Sequence, residues 1–144
     1  MKFKYQGLID RLELTVMCPP ENTVVNEETN AARFTIDPID HELNFLPNFI
    51  YNSKLGIPPR VMSSELKCRY CSLSFYTSVE ASQAAYRSLN TVIKAKLGYT
   101  HIAYGIIKRN SGRATPVNPS SQHFELFEAE GSEWSSNFKI VASL

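Results

Sequence analysis

Eight lysines and arginines lie between positions 67 and 113: Lys67, Arg69, Arg87, Lys94, Lys96, Lys108, Arg109 and Arg113. They face one acid, Glu80, so this stretch carries a charge of +7. Ammonium and guanidinium groups at that density attract phosphates and carboxylates, which points to an anionic partner. The flanks are acidic. Residues 1–66 hold six basic residues against nine acids and residues 114–144 one against four, which brings the whole chain to only +1. Folding can therefore lay acid beside base and cancel the asymmetry. Arg87 and Lys94, seven residues apart, share one side of a helix, while Lys108, Arg109 and Arg113 bracket a glycine-containing loop able to approach a phosphate. These five are the candidate anion-binding residues; the plain alternative is a solvated surface, where charged side chains ordinarily sit.

Three sets of side chains have the types, but not the full spacing, for other chemistry. Cys68-Arg69-Tyr70-Cys71 has the separation of a zinc knuckle, and Cys18 with His41, His101 or His123 would be needed to complete four ligands. No second closely spaced ligand pair is present, so Cys68 and Cys71 are expected to be structural thiols and no metal or cofactor is assigned. If residues 68–71 are extended, the two sulfurs point to opposite faces. His101, Tyr104, His123 and Glu125 offer imidazole, phenol and carboxylate for acid–base work, with His101 and His123 as the candidate catalytic groups. On two strands joined as a hairpin these histidines would lie well apart, and ordinary sheet positions explain them better. Asp37, Asp40, His41 and Glu42 read as the capped N-terminus of a helix rather than a metal or proton-relay cluster. Nucleotide-binding glycine patterns, a nucleophile elbow, a paired-histidine metalloprotease motif and a calcium loop are absent.

The elements that must position these groups follow from periodicity. Arg11–Met17 alternates Leu12, Leu14 and Val16 and reads as a strand. Ala31–Ile36 reads as a second strand after the polar loop 21–30, and the short helix predicted near 38–43 follows, with Pro38 at its first position. Residues 44–64 are rich in aromatics, asparagine and proline. They read as an irregular segment pinned by its side chains, and its Phe45, Phe49 and Tyr51 are the candidate partner-binding residues. Cys71–Tyr76 reads as a strand. Thr77-Ser78-Val79-Glu80 fits a capping box opening one long helix over about 78–97, with Ala81, Ala85, Leu89, Val92, Ile93 and Leu97 as its buried stripe and Gly98 as its stop. Strands are expected at His101–Lys108, with Gly105 marking a bulge or a close approach of backbone, at His123–Glu128 and at Phe138–Leu144.

With 43% apolar and 20% charged residues over 144 positions, the chain is expected to fold as one globular domain over residues 1–144, with a real core. The expected class is α+β: a mainly antiparallel sheet, mixed if the unit 71–108 is a parallel crossover, of five to six strands, with the long helix packed on one face. No apolar stretch suits a signal peptide or a membrane span, and three cysteines favour free thiols in a reducing compartment, so a cytoplasmic location is expected. The functional expectation is a small intracellular binding protein without catalytic activity. Its partner would be nucleic acid or an acidic protein surface met through the basic centre, with no membrane involved; exposed strands also make a homodimer admissible. The alternative is a small enzyme acting on a phosphorylated or nucleotide substrate, with Arg109 and Arg113 as a phosphate clamp and a histidine as acid or base.

Overall fold

The computed structural model describes all 144 residues. Its order is α1 (Gln6–Arg11), β1 (Val24–Val25), β2 (Thr29–Thr35), α2 (Asn48–Lys54), α3 (Ser64–Arg69), β3 (Leu73–Tyr76), α4 (Val79–Arg87), α5 (Thr91–Leu97), β4 (His101–Ile107), β5 (Gly112–Ala114), β6 (His123–Glu128) and β7 (Phe138–Ser143). The seven strands form one sheet in the order β1-β5-β6-β3-β2-β4-β7, every neighbouring pair antiparallel. The fold is α+β as expected. No helix is long and apolar enough to cross a membrane.

Alternation along the strands sorts the side chains onto two faces. On the first, Ala31, Leu73, Phe75, Ala103, Ile107, Phe124 and Leu126 are buried under Phe45, Trp134 and Phe138. On the second, α4 packs over β2, β3 and β4, and Phe127 meets Ile9 of α1 and Cys68 of α3. Gly105 is needed where β4 and β7 meet. A Cβ there would stand 2.1 Å from the carbonyl oxygen of Asn137 and 2.6 Å from the Cα of Phe138, so the close approach is real, while the register shift between β4 and β7 falls at Ile102/Ala103 instead.

Several local expectations are corrected. The stretch Arg11–Met17 is not a strand: α1 ends at Arg11, where Gln6 Nε2 has already donated to Asp10 one turn on at 2.8 Å. Leu12, Leu14 and Val16 keep their alternation only by leaning against the Phe127 cluster, with no ladder. Residues 38–43 are not helical. The buried Asn44 amide donates to the carbonyls of Ile36, Pro38 and Ile39 and accepts from the Ile36 N–H, holding them as turns. The supposed long helix is two helices. Asn90 starts α5 by accepting from the Ile93 N–H at 2.8 Å, and Ser88 Oγ donates back to Ala85 at 2.6 Å.

The expected stripe is accordingly not buried: Val92 is 74% and Ile93 39% exposed, and Ser82 is the buried residue of α4. The cap is Ser78 rather than Thr77, whose hydroxyl donates to Gln122. The segments expected to be loops hold β1, α2 and β5. β4 and β6 form no hairpin: β5 pairs with β6, and β4 lies between β2 and β7. The unit from β3 to β4 is a crossover that skips one strand, since β2 stands between them.

Cys18 and Cys68 are disulfide-bonded across 50 residues, and Cys71 alone is a free thiol. The expectation of three free thiols is overturned, because Cys68 lies on α3 rather than on an extended segment and packs beside Cys18.

Two outcomes follow from this packing. Gly105→Ala, which forces backbone apart, lowers unfolding free energy by about 1–3 kcal/mol in urea melts; an unchanged midpoint refutes the close approach. A thiol titration of denatured protein gives one thiol before reduction and three after, and reduction costs about 4 kcal/mol of stability from released loop entropy.

Candidate ligand cleft

The sheet is not evenly zipped. β2 is paired with β4 along all seven residues but with β3 only through Ala32 and Tyr76. Past that pair, Phe34 and Ser74 line an opening closed by α2, α5 and the segment between α2 and α3. The result is a two-chambered cleft. The inner chamber, about 350 Å³, is lined by Arg33 and Phe34 of β2, Ser74 and Tyr76 of β3, Asn48 and Asn52 of α2, and Tyr99. The outer chamber, about 600 Å³, is lined by Phe49, Ile57, Pro58, Pro59, Met62 and Lys96, among others. Asn52, Arg60, Tyr70, Ile93 and Leu97 line both, so the chambers are continuous. These sizes lie in the range of small-molecule sites.

Aromatic contacts hold the walls. Tyr51 stacks on Tyr99 with ring centroids 4.9 Å apart, and its hydroxyl donates to the Leu97 carbonyl at the end of α5. Phe34 touches the rings of Tyr76, Tyr86 and Tyr99. Tyr70 packs edge-on against Phe49, and its hydroxyl accepts from Arg60 Nη2 at 3.0 Å. Burial raises the pKa of Tyr51, Tyr76 and Tyr99, so these phenols stay protonated.

The cleft is positive. Arg33, Arg60 and Lys96 line it, and no aspartate or glutamate does. Arg33 is the unusual member: only 6% exposed, it has its Nε and Nη1 fully buried without a hydrogen-bond partner. Its guanidinium carbon sits 5.3 Å from the ring centres of both Phe45 and Phe75. Cation–π attraction offsets part of its desolvation. Burial lowers its pKa, opposed by Tyr99, Glu128, Tyr51 and Tyr5. No carboxylate lies within ion-pair distance, since Glu128 is engaged by Lys4 at 3.3 Å and by the Trp134 Nε1–H at 2.8 Å. The second oxygen of Glu128 is itself buried and unpartnered, and burial raises its pKa.

The residues expected to act are mostly elsewhere. Arg87 is exposed at the end of α4, and Lys94 lies over the Tyr86 ring at 4.8 Å. Lys108 and Arg109 line a shallow depression with Glu130 and Glu133, and Arg109 pairs with Glu27 at 3.4 Å, so acid from the flanks cancels base there. Arg113 is held inside the fold, donating from Nε to Thr23 Oγ1 and from Nη2 to the Thr23 carbonyl. Phe45 and Tyr51 are core residues at 7% and 1% exposure, while Phe49 does line the outer chamber.

His101 Nδ1 is 2.8 Å from the Thr100 hydroxyl. His123 packs on Tyr76, with its pKa lowered by burial and then by Arg69, which ion-pairs with Glu125 at 2.7 Å. The two histidines stand three strands apart in the sheet, roughly 14 Å at the usual spacing, and on opposite faces. Neither lines the cleft. Cys68 is consumed by its disulfide and the buried Cys71 thiol, donating to the Lys67 carbonyl, is pushed up to about 12 by burial. No group of three or more histidine, cysteine, aspartate or glutamate side chains is placed to hold a metal ion.

Sequence reasoning missed Arg33, Arg60, Tyr70 and Tyr99. The one signal available was Arg33 itself, the only charge within strand β2. No protein-family model, no curated protein and no solved structure matches this chain.

A buried carboxylate with a raised pKa binds its proton more tightly in the folded state, so its penalty is full above the folded pKa and relieved as pH falls toward the unfolded value. Glu128→Gln is therefore expected to gain stability over the parent at pH 7–8, and the gain shrinks as pH falls toward 4.5. Paired denaturant melts across that range check it, and a pH-independent difference refutes it.

Proposed function

We propose that this protein is a non-catalytic binding protein whose anionic partner is taken in the cleft between α2, α5 and the parted strands β2 and β3. The observation that carries this reading is a lining with three cations and no carboxylate, one of the cations being the buried and unpartnered Arg33. Arg33 stands in the wall of a concave site with no acceptor from the protein, and an oxyanion that reached its guanidinium would supply one. The reading keeps the anionic partner expected from the charge pattern and moves its site. Lys96 alone of the basic central stretch contributes to the cleft, whereas Lys108 and Arg109 stand among Glu27, Glu130 and Glu133.

A cleft of this size admits a small molecule or a single side chain rather than a duplex. An enzyme on a phosphorylated substrate, with Arg109 and Arg113 as clamp and a histidine as acid or base, gains no observation here, because neither histidine lines the cleft. For the compartment, the Cys18–Cys68 cross-link leads us to propose an oxidising environment in place of the cytoplasm, since such bonds are rare where thiols are kept reduced.

The test uses an anionic aryl sulfonate dye that fluoresces in apolar surroundings, together with labelled DNA and RNA oligonucleotides. The dye is expected to bind, and Arg60→Gln with Lys96→Gln to weaken it by about tenfold, the scale of one charge-assisted hydrogen bond. Lys108→Glu with Arg109→Glu is expected to leave dye binding unchanged. Tight, salt-sensitive oligonucleotide binding that is lost in this second variant, with no dye binding, would return the site to the basic loop.

A further inference from the structure

The two chambers differ in chemistry, and the difference names a ligand class. The inner one is lined by Arg33, the Asn48 and Asn52 amides, the Ser74 hydroxyl and tyrosines, whose side chains can donate to an oxyanion. The outer one adds Phe49, Ile57, Pro58, Pro59 and Met62, a surface that suits an apolar body, alongside Ser53 and Lys96. Arg60 and Tyr70, joined by their hydrogen bond, mark the junction. A ligand that satisfies both ends is an anion at one end and hydrocarbon for the remainder.

Resting on the anion-binding reading above, we propose that the cleft binds amphipathic monocarboxylic acids, the carboxylate in the inner chamber and the alkyl or aryl body in the outer. Burial, rather than the count of three cations, favours one negative charge. Arg33 is the only buried cation of the cleft, whereas Arg60 and Lys96 are exposed. A carboxylate matches one guanidinium, while a phosphate dianion would bring a second charge into a wall of phenyl and tyrosyl rings. Ile93, 39% exposed on a helix with no buried residue, lines both chambers, so a charge there tests whether an apolar body lies in the cleft without disturbing the core.

The experiment measures displacement of the aryl sulfonate dye from the full chain by octanoate, 1-octanol, octyl phosphate and inorganic phosphate at neutral pH, with direct titration calorimetry of octanoate. Octanoate is expected to displace at least tenfold more tightly than octanol, octyl phosphate or inorganic phosphate, on the scale of a charged hydrogen bond. Ile93→Asp, confirmed as folded by its melting curve, is expected to lose octanoate by a similar factor. Equal displacement by octanol overturns both the carboxylate class and the anion reading. Tighter displacement by octyl phosphate or by inorganic phosphate overturns the carboxylate class alone. Unchanged octanoate binding in Ile93→Asp overturns the placement of the apolar body, and failure of dye and octanoate alike to bind overturns everything proposed for the cleft.

Discussion

The burial of a guanidinium without an acceptor, at Arg33, is the constraint on which this structure turns. Removing a charge from water is costly unless it is paired and hydrogen-bonded. Arg33 is neither, and the protein surrounds it instead with polarisable rings and a more distant carboxylate: Phe45 and Phe75 against the guanidinium, Glu128 further off. Those same residues organise the rest. Phe45 stacks on Trp134, Trp134 donates to Glu128, and Glu128 is held by Lys4 near the start of the chain. One buried charge thus ties together the first face of the sheet, the loop after β2 and the N-terminal segment.

The geometry that seats Arg33 also makes the cleft. A strand paired on both sides over its full length leaves no space between neighbours, about 4.8 Å apart. β2 keeps that spacing with β4 for seven residues and abandons it with β3 after one. Small residues permit the asymmetry. Ala31, Ala32 and Ala103 are fully buried, and Gly105 lets the backbone of β7 press close, so the β2-β4-β7 half is compact while the β2-β3 seam opens. Helices too short to cover the seam, α2 and α5, border it and leave a depression.

The broad architecture was legible because it is written in local patterns. β2, β3, β4, β6 and β7 all have strand periodicity, Gly98 stops α5, and the α+β class follows from their order. What failed did so where one polar side chain outvoted a pattern. Asn44 holds turns where Asp37-Pro38 suggested a helix, and Asn90 restarts a helix that apolar spacing had carried through. The cleft was illegible for a different reason. Arg33, Arg60, Tyr70 and Tyr99 are far apart in sequence and meet only through the parting of β2 and β3, which no single-strand pattern encodes. The charge count misled in turn, because Glu27, Glu130 and Glu133 come from the acidic flanks to the very loop that carries Lys108 and Arg109.

The cleft's chemistry also constrains how recognition can vary with conditions. Its polar lining consists of two arginines, a lysine, tyrosines, amides and serine hydroxyls, with neither histidine nor carboxylate. Burial pushes Tyr76 and Tyr99 further from neutrality, so their hydroxyls remain donors over the physiological range. With no histidine or carboxylate in the lining, pH dependence near neutrality is assigned to the ligand's own ionisation. An acid weak enough to be neutral at low pH would bind more weakly as it takes up its proton, because the neutral form offers Arg33 only an uncharged carbonyl in place of a charge-assisted acceptor. The same unmet donors that make the free protein less stable than its core would allow are then what separates an ionised ligand from its neutral twin.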